Sequence, residues 1–576
     1  MNYKEKYMEW LENPYFDKKT KEELLAIRDD EHEIKERFYA ELAFGTGGLR
    51  GIIGAGTNRF NMYTVGKATQ GLANYINKQG GGVRGVAIAY DSRRMSSEFA
   101  NATALVLTAN GIKAYLFDAL RPTPELSFAV RKLGCIAGVN ITASHNPPEY
   151  NGYKVYWADG AQVTSPQDTE IMDEVQLITD YTTIKITTVE DAKAKGLYKL
   201  IGAEIDDAYI TELKKLILHP EAIAATGKEI KIVYSPLHGT GNIPVRRILK
   251  EVGFAHVYVV KEQELPDGEF PTVAYPNPEA EEAFTLGLKL AKEVDADIVL
   301  ATDPDADRLG VRVKDKNGEY HELTGNMLGC LLAEYIIGQR KALNRLPEDG
   351  HLIKTIVTTN MTDAIAKQYG VNVIEVLTGF KYIGEQILRF ETLGKGEYLF
   401  GFEESYGCLI GTHARDKDAV VASMTLCEAT AFYKTKGMTL WDAMLELYDR
   451  YGYYYDGIED FTLKGIEGIA KIQEIMSALR DNPPTMIGKY KVLKIRDYER
   501  DTVVDLASGE TSSIGLPRSN VLYYELENDI WICVRPSGTE PKMKVYFGVN
   551  ENSMTKSVAI STLTRKEIKS LVGKML

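Results

Sequence analysis

The chain has 576 residues, more than one hydrophobic core ordinarily serves, and its 44% hydrophobic and 26% charged residues mark a folded, multidomain protein rather than a disordered one. A net charge of −13 excludes a general nucleic-acid binder, which presents a basic face, so an anionic ligand would need a locally basic pocket. Five scattered cysteines without a CxxC pair (Cys135, Cys330, Cys408, Cys427 and Cys533) point to reduced thiols rather than to a disulfide framework or a zinc site.

The first residues, MNYKEKYMEWLENPYFDKK, mix charges throughout and carry no apolar signal-peptide core. The longest apolar stretch, MLGCLLAEYIIG at 327–338, contains Glu334 and is too short to span a bilayer. A cytoplasmic protein without membrane or nucleic-acid partners is expected.

Four segments share one form, a β-branched apolar run ending abruptly in polar or glycine-rich residues: GVAIAYDSRR (85–94), IKIVYSPLHGTGN (230–242), DADIVLATDPDADR (295–308) and HLIKTIVTTN (351–360). Such runs suit strands buried on both faces of a parallel sheet covered by helices. A helical pattern, EEAFTLGLKLAKEV at 281–294, precedes the third. The alternation predicts three-layer α/β/α domains, with polar residues beyond the carboxyl ends of the strands, where chemistry usually sits. Near the end, VLYYELEND (521–529) and WICVRPSGTEPKMKVYFGV (531–549) read as neighbouring strands before a helix in TLTRKEIKSLVGKM (562–575). That is a smaller α+β domain with mainly antiparallel pairing. The expected domains are 1–205, 206–325, 326–455 and 456–576.

Four motifs carry chemistry. In ITASHNPPEYNGYKVY (141–156), Ser144 and His145 lie in a polar loop whose Asn-Pro-Pro forms a turn. A Ser-His-Asp hydrolase does not fit, because there is no G-x-S-x-G elbow, so another group must activate Ser144. In TDPDADRLG (302–310), Asp303, Asp305 and Asp307 alternate in a turn, suited to one hard cation held through oxygen. An EF-hand needs glycine and glutamate where this chain has Arg308 and Lys314, so Mg²⁺ is expected instead. LTGFK (377–381), with Thr378, Gly379 and Lys381, and GFEESYG (401–407), with Glu403, Glu404 and Ser405, suit neighbouring sugar hydroxyls. RPSGTEPK (535–542) offers Arg535, Ser537, Gly538 and Thr539, the fork, hydroxyls and exposed N–H groups that cradle a phosphate. Two basic clusters, FGTGGLRG (44–51) with Arg50 and the loop Asp91-Ser92-Arg93-Arg94, also fit an anion. No Walker A pattern and no strand-linked G-x-G-x-x-G is present.

TASHNP, DPDADR, the G-x-E-x-S loop and RPSGTEP, in this order, resemble the α-D-phosphohexomutase superfamily over essentially the whole chain. The length, the Pro-Pro and the form GFEESYG resemble its larger phosphoglucomutase branch, which includes phosphopentomutases; Phe402 stands where most relatives have glycine. The resemblance implies three related α/β domains and a smaller C-terminal one around a cleft. It implies that Ser144 is a phosphoserine and a metal ligand, with Asp303, Asp305 and Asp307 completing an Mg²⁺ site. Arg50 and Arg308 would flank the moving phosphoryl, Lys154 would be the acid/base with His145 as partner, and Lys417 a second lysine near the reaction. The implied reaction interconverts glucose 1-phosphate and glucose 6-phosphate through a sugar 1,6-bisphosphate, which also serves as activator. Alternatives are a phosphopentomutase, a phosphomannomutase, a sugar-1,6-bisphosphate synthase or a silent regulatory relative, the last opposed by the intact serine, aspartates and lysine. The partners implied are small sugar phosphates; oligomeric state stays open.

Overall fold

The computed structural model describes residues 2–42, 44–45, 48–463, 465–537 and 542–575. The chain forms two compact units, Met1–Thr324 with Phe380–Gly401 and Ser405–Leu440, and Gly325–Gly379 with Phe402–Glu404 and Trp441–Leu576.

In the first unit the segment 85–94 forms the strand Val86–Tyr90, buried from Val86 to Ala89 as its unbroken apolar run requires. It pairs in parallel with Ala114–Phe117 on one side and Ala137–Ile141 on the other. Ala137–Ile141 then pairs antiparallel with Tyr150–Trp157, which pairs antiparallel with Gly48–Ile52. The sheet is therefore mixed rather than wholly parallel, because the Asn-Pro-Pro turn sends the chain straight back beside the strand it has left. Val65, Leu72 and Ile76 of the helix Met62–Lys78, and Phe99 and Leu107 of Ser96–Ala109, share one core with Ile88, Val139 and Val155 of the strands.

A second sheet repeats the arrangement. Ile298–Thr302 pairs in parallel with Lys231–Ser235 and antiparallel with Leu309–Lys314, so DPDADR is a hairpin turn at the strand ends. The loop after Lys231–Ser235 packs on that turn: Thr240 N donates to the Pro304 carbonyl at 2.8 Å. Leu237 and His238 are both left-handed there, at φ of 43° and 60°.

In the N-terminal part, three helices, Tyr3–Glu12, Lys18–Ala26 and Glu31–Phe38, are capped by the Asn2, Asp17 and Asp30 side chains. They close on Trp10, Phe16, Leu24, Ile34 and Phe38.

In the second unit Gly350–Thr355 pairs in parallel with Asn372–Val376. The apolar run around 327–338 is the helix Gly325–Ala342, and no helix among the described residues is long and apolar enough to cross a membrane. Its buried Glu334 is satisfied by Tyr369 and Arg450, both at 2.6 Å, and by Tyr451 at 2.8 Å. The last domain is an antiparallel sheet in the order Tyr453–Thr462, Lys542–Glu551, Trp531–Pro536, Leu522–Leu526, Tyr490–Asp497, Thr502–Asp505, Thr511–Ser512. The segment 531–549 is thus two paired strands, and the final helix begins at Met554, capped by Ser553.

A Cβ on Gly239 would lie 2.4 Å from Pro304 Cα, a backbone atom that cannot swing aside. Gly239→Ala should therefore cost about 1–3 kcal/mol through overpacking, read as a lower denaturant midpoint. An unchanged midpoint would show that the two loops are not interlocked.

Candidate active site

Ser144 leaves the sheet three residues beyond Ile141 in the left-handed region, at φ 53°, where only a well-anchored non-glycine residue persists. Its N–H donates to Thr142 Oγ1 at 2.8 Å, and its hydroxyl donates to Asp303 Oδ2 at 2.8 Å. His145 Nδ1 lies 3.1 Å from the same hydroxyl. Ser144 is 3% exposed.

The carboxylates come from the neighbouring hairpin turn. Asp303 Oδ1 accepts the N–H groups of Asp307 at 3.1 Å and Arg308 at 3.0 Å, while Ala306 at φ 50° turns the chain. Asp305 Oδ2 accepts from Thr123 Oγ1 at 2.8 Å and Lys154 Nζ at 2.9 Å. Asp307 Oδ2 lies 3.2 Å from Lys417 Nζ and 3.7 Å from Lys154 Nζ. One oxygen from each aspartate falls within 4.8 Å of the others, and all three side chains are buried. Asp305 Oδ1 and Asp307 Oδ1 are buried without a hydrogen-bond partner among the described residues. Hard, buried, under-satisfied oxygens grouped this closely fit a divalent cation.

The electrostatics follow from that crowding. Burial, then Asp305 and Asp307, push the Asp303 carboxyl well up. Burial acts the same way on Asp305, but Lys154 and its hydrogen bonds outweigh it and hold that carboxyl below the ordinary range. Burial opposes the Lys154 charge, yet Asp305 and Asp307 together raise its pKa, so the ammonium persists. Burial first, then Arg308 and Arg50, push His145 well down, leaving a neutral imidazole against the Ser144 hydroxyl.

The structure gathers most of the first unit's expected residues here. Arg50, on Gly48–Ile52, donates to Asn146 Oδ1 of the serine loop at 2.9 Å. Arg308 pairs with Glu279 and lies 3.9 Å from Asp307 Oδ1. Lys417 is held between Asp307 and Asp416, 3.1 Å away, and Asp416 in turn accepts from Tyr156 OH at 2.8 Å. Gly407 makes room for this lysine, since a Cβ there would lie 2.0 Å from Lys417 Cδ. Lys381 pairs with Asp168 at 3.4 Å, and Ser405 is half-buried in the same unit.

In the second unit, Gly379 N donates to Glu403 Oε1 at 2.9 Å, which ties LTGFK to GFEESYG. The Thr378 hydroxyl is buried with no hydrogen-bond partner among the described residues. Arg535 sits opposite Lys544 on paired strands, and Ser537 N donates to the Lys542 carbonyl at 2.7 Å. Gly538 and Thr539 lie outside the described residues.

One expectation changes. The basic loop Asp91–Arg94 does not offer a cluster of cations to an anion. Arg93 is buried with its guanidinium on loop carbonyls, and Arg94 pairs with Glu269. Sequence reading also passes over Thr123, Asn140, Asp416 and Tyr156. Asn140 donates to Thr123 Oγ1 at 2.6 Å and so orients the hydroxyl that meets Asp305. Tyr156 had a signal: two residues after Lys154 on one strand, it shares that lysine's face. Thr123 had none, since its role depends on a hairpin 182 residues away.

Comparison with known proteins finds relatives over most of the chain. Residues 41–182 match the family description phosphoglucomutase/phosphomannomutase, alpha/beta/alpha domain I, residues 207–318 match its domain II, and residues 324–451 match its domain III. A phosphoglucomutase of Staphylococcus haemolyticus is 37% identical, over 90% of this chain and 92% of its own. A Staphylococcus aureus phosphoglucomutase is 38% identical, over 90% and 91%. The open form of the Paramecium phosphoglucomutase parafusin shares the fold, with a TM-score of 0.68 at 18% identity over 92% of this chain and 96% of that one. Fold and relatives define an isomerase of the intramolecular phosphotransferase class. The chain belongs to the phosphoglucomutase/phosphomannomutase family, in the α-D-phosphohexomutase superfamily.

If the aspartates hold a divalent cation, Asp305→Asn should weaken Mn²⁺ binding by at least about tenfold, since even a residue behind a ligand contributes that much. Calorimetric titration with Mn²⁺ checks this, and unaltered affinity would remove Asp305 from the site.

Proposed function

We propose that the protein interconverts glucose 1-phosphate and glucose 6-phosphate, carrying the phosphoryl group on Ser144. The observation that carries this reading is the Ser144 hydroxyl on Asp303 at 2.8 Å, within a buried set of three aspartates and two lysines. The relatives named phosphoglucomutase favour glucose over mannose or a pentose as the sugar.

In the first half-reaction a free hydroxyl of the sugar monophosphate attacks the phosphoryl on Ser144. The bond from phosphorus to Ser144 Oγ breaks as the bond to the sugar oxygen forms, giving a sugar 1,6-bisphosphate. The attacking hydroxyl loses a proton and Ser144 Oγ gains one, so the step balances. We assign this exchange to Lys154, whose ammonium can give a proton to Ser144 Oγ, with the neutral His145 ring, 3.1 Å from Ser144 Oγ, as the group able to take one up. Arg50 and Arg308 neutralise charge spreading over the phosphoryl oxygens. Mg²⁺, held by Asp303, Asp305, Asp307 and an oxygen on Ser144, would supply Lewis-acid stabilisation of that charge. The bisphosphate then turns over and returns its other phosphoryl to Ser144. Lys417, fixed by Asp307 and Asp416, is positioned for this step.

Glu403, Ser405, Thr378, Gly379 and Lys381 are assigned to the sugar, and Arg535 with Ser537, Gly538 and Thr539 to the phosphoryl not reacting. We place domain divisions near 205, 325 and 455, supported by family matches that end at 182, 318 and 451. Cytoplasmic placement is supported by five free, buried thiols.

Intact-mass analysis after incubation with glucose 1,6-bisphosphate should show one added phosphoryl mapping to Ser144, and Ser144→Ala should lose both label and turnover. A fully active Ser144→Ala enzyme would refute the mechanism. Arg535→Ala removes a charge-assisted contact of about 1.5–3 kcal/mol. It should lower kcat/KM roughly tenfold to somewhat over a hundredfold, mainly through KM, and release more bisphosphate per turnover. An unchanged KM and release ratio would leave the loop a turn between strands.

A further inference from the structure

The loop that carries Ser144 has no regular secondary structure of its own, yet it holds a strained serine in one orientation. Two buried residues at the end of the strand Val86–Tyr90 account for this. The Asp91 and Arg93 side chains have no exposed surface, and Arg93 Nε lies 3.4 Å from Asp91 Oδ2. Arg93 Nη1 donates to the carbonyls of Pro147 at 2.8 Å and Tyr150 at 3.1 Å. Nη2 donates to the carbonyl of Ser144 at 2.6 Å and to that of Asn146. One guanidinium thus ties four carbonyls of the segment 144–150.

Asp91 works from the other side. Its Oδ1 accepts from Ser96 Oγ at 2.8 Å and from Arg93 N at 3.0 Å, and its Oδ2 accepts from Thr142 Oγ1 at 2.6 Å. The same Thr142 oxygen accepts the Ser144 N–H at 2.8 Å. Asn151, at the far end of the loop, donates to Ser96 Oγ at 2.9 Å and to the Arg94 carbonyl at 3.0 Å. The Ser144 amide is therefore held through Thr142 by Asp91, and its carbonyl is held directly by Arg93.

We propose that Asp91 and Arg93 are positioning residues for phosphoryl transfer, acting through Thr142 and the loop carbonyls to keep Ser144 Oγ on Asp303. This rests on Ser144 being the residue that carries the phosphoryl. A serine that gains and loses a doubly charged group each cycle needs a backbone that does not relax between states. A planar fork with five donors can bridge several carbonyls at fixed angles, whereas a lysine ammonium is a single point that cannot. The buried carboxylate in turn compensates the buried guanidinium, whose charge would otherwise stand unpaired on that side.

Thr142 gives the cleanest test, because valine has nearly its shape but no hydroxyl. In the full-length protein, wild-type Ser144 is first shown to accept phosphate from glucose 1,6-bisphosphate. Failure there sinks the mutase reading and this proposal with it. Thr142→Val should then lower kcat and the rate of Ser144 phosphorylation by about tenfold to a hundredfold, the effect of a displacement near 1 Å. KM should change little, and Thr142→Ser, which keeps the hydroxyl, should recover most of the loss. Arg93→Lys should show the same split between kcat and KM; if it does not fold, the Thr142 pair still decides. Wild-type kcat and phosphorylation rate in Thr142→Val would overturn the proposal, as would equal losses in the valine and serine variants.

Discussion

The constraint on which the site depends is the burial of three carboxylates within a few ångströms of one another. Such a cluster repels itself and is stable only when cations answer it. Lys154 and Lys417 answer two of the aspartates from the chain itself, and the under-satisfied oxygens of Asp305 and Asp307 leave room for a divalent cation. The same surplus of negative charge keeps the Lys154 ammonium protonated. An anion is answered in this overall acidic protein only where Arg50 and Arg308 stand beside the set, and a divalent cation on the aspartates would add to that local positive charge.

The carboxylates and the serine belong to different sheets, and the fold brings each to a strand end. Ile298–Thr302 delivers the aspartates into a hairpin, and Ala137–Ile141 delivers Ser144 into a turn that reverses the chain. That reversal makes the first sheet mixed, and it also places Lys154 on the returning strand, opposite Asn140. The antiparallel strand is thus part of how the site is assembled. Once Asn140 orients Thr123 and Tyr156 orients Asp416, each charged group has one defined direction.

Much of this was legible in the residues. The β-branched runs announce the buried strands, because continuous Val and Ile suit a sheet covered on both faces. The acidic turn and the serine loop stand out because their spacing has few other uses. The strand Tyr453–Thr462 was not legible, since its alternation becomes a signal only once Lys542–Glu551 lies beside it. Arg93 was read as a cation facing a ligand, and from sequence a buried arginine looks the same as an exposed one. Thr123 carries no local mark of its contact with Asp305. Roles of that kind arise from the packing of loops distant in sequence.

The central claim, that the phosphoryl moves between enzyme and sugar, is tested most directly by one turnover of labelled enzyme. Protein phosphorylated with ³²P at Ser144 is mixed with a limiting amount of unlabelled glucose 1-phosphate, quenched within a single turnover, and its products are separated. The account predicts ³²P at position 6 of the glucose 6-phosphate formed, with unlabelled phosphate now on Ser144. Glucose 6-phosphate appearing while all the ³²P stays on the protein would contradict it.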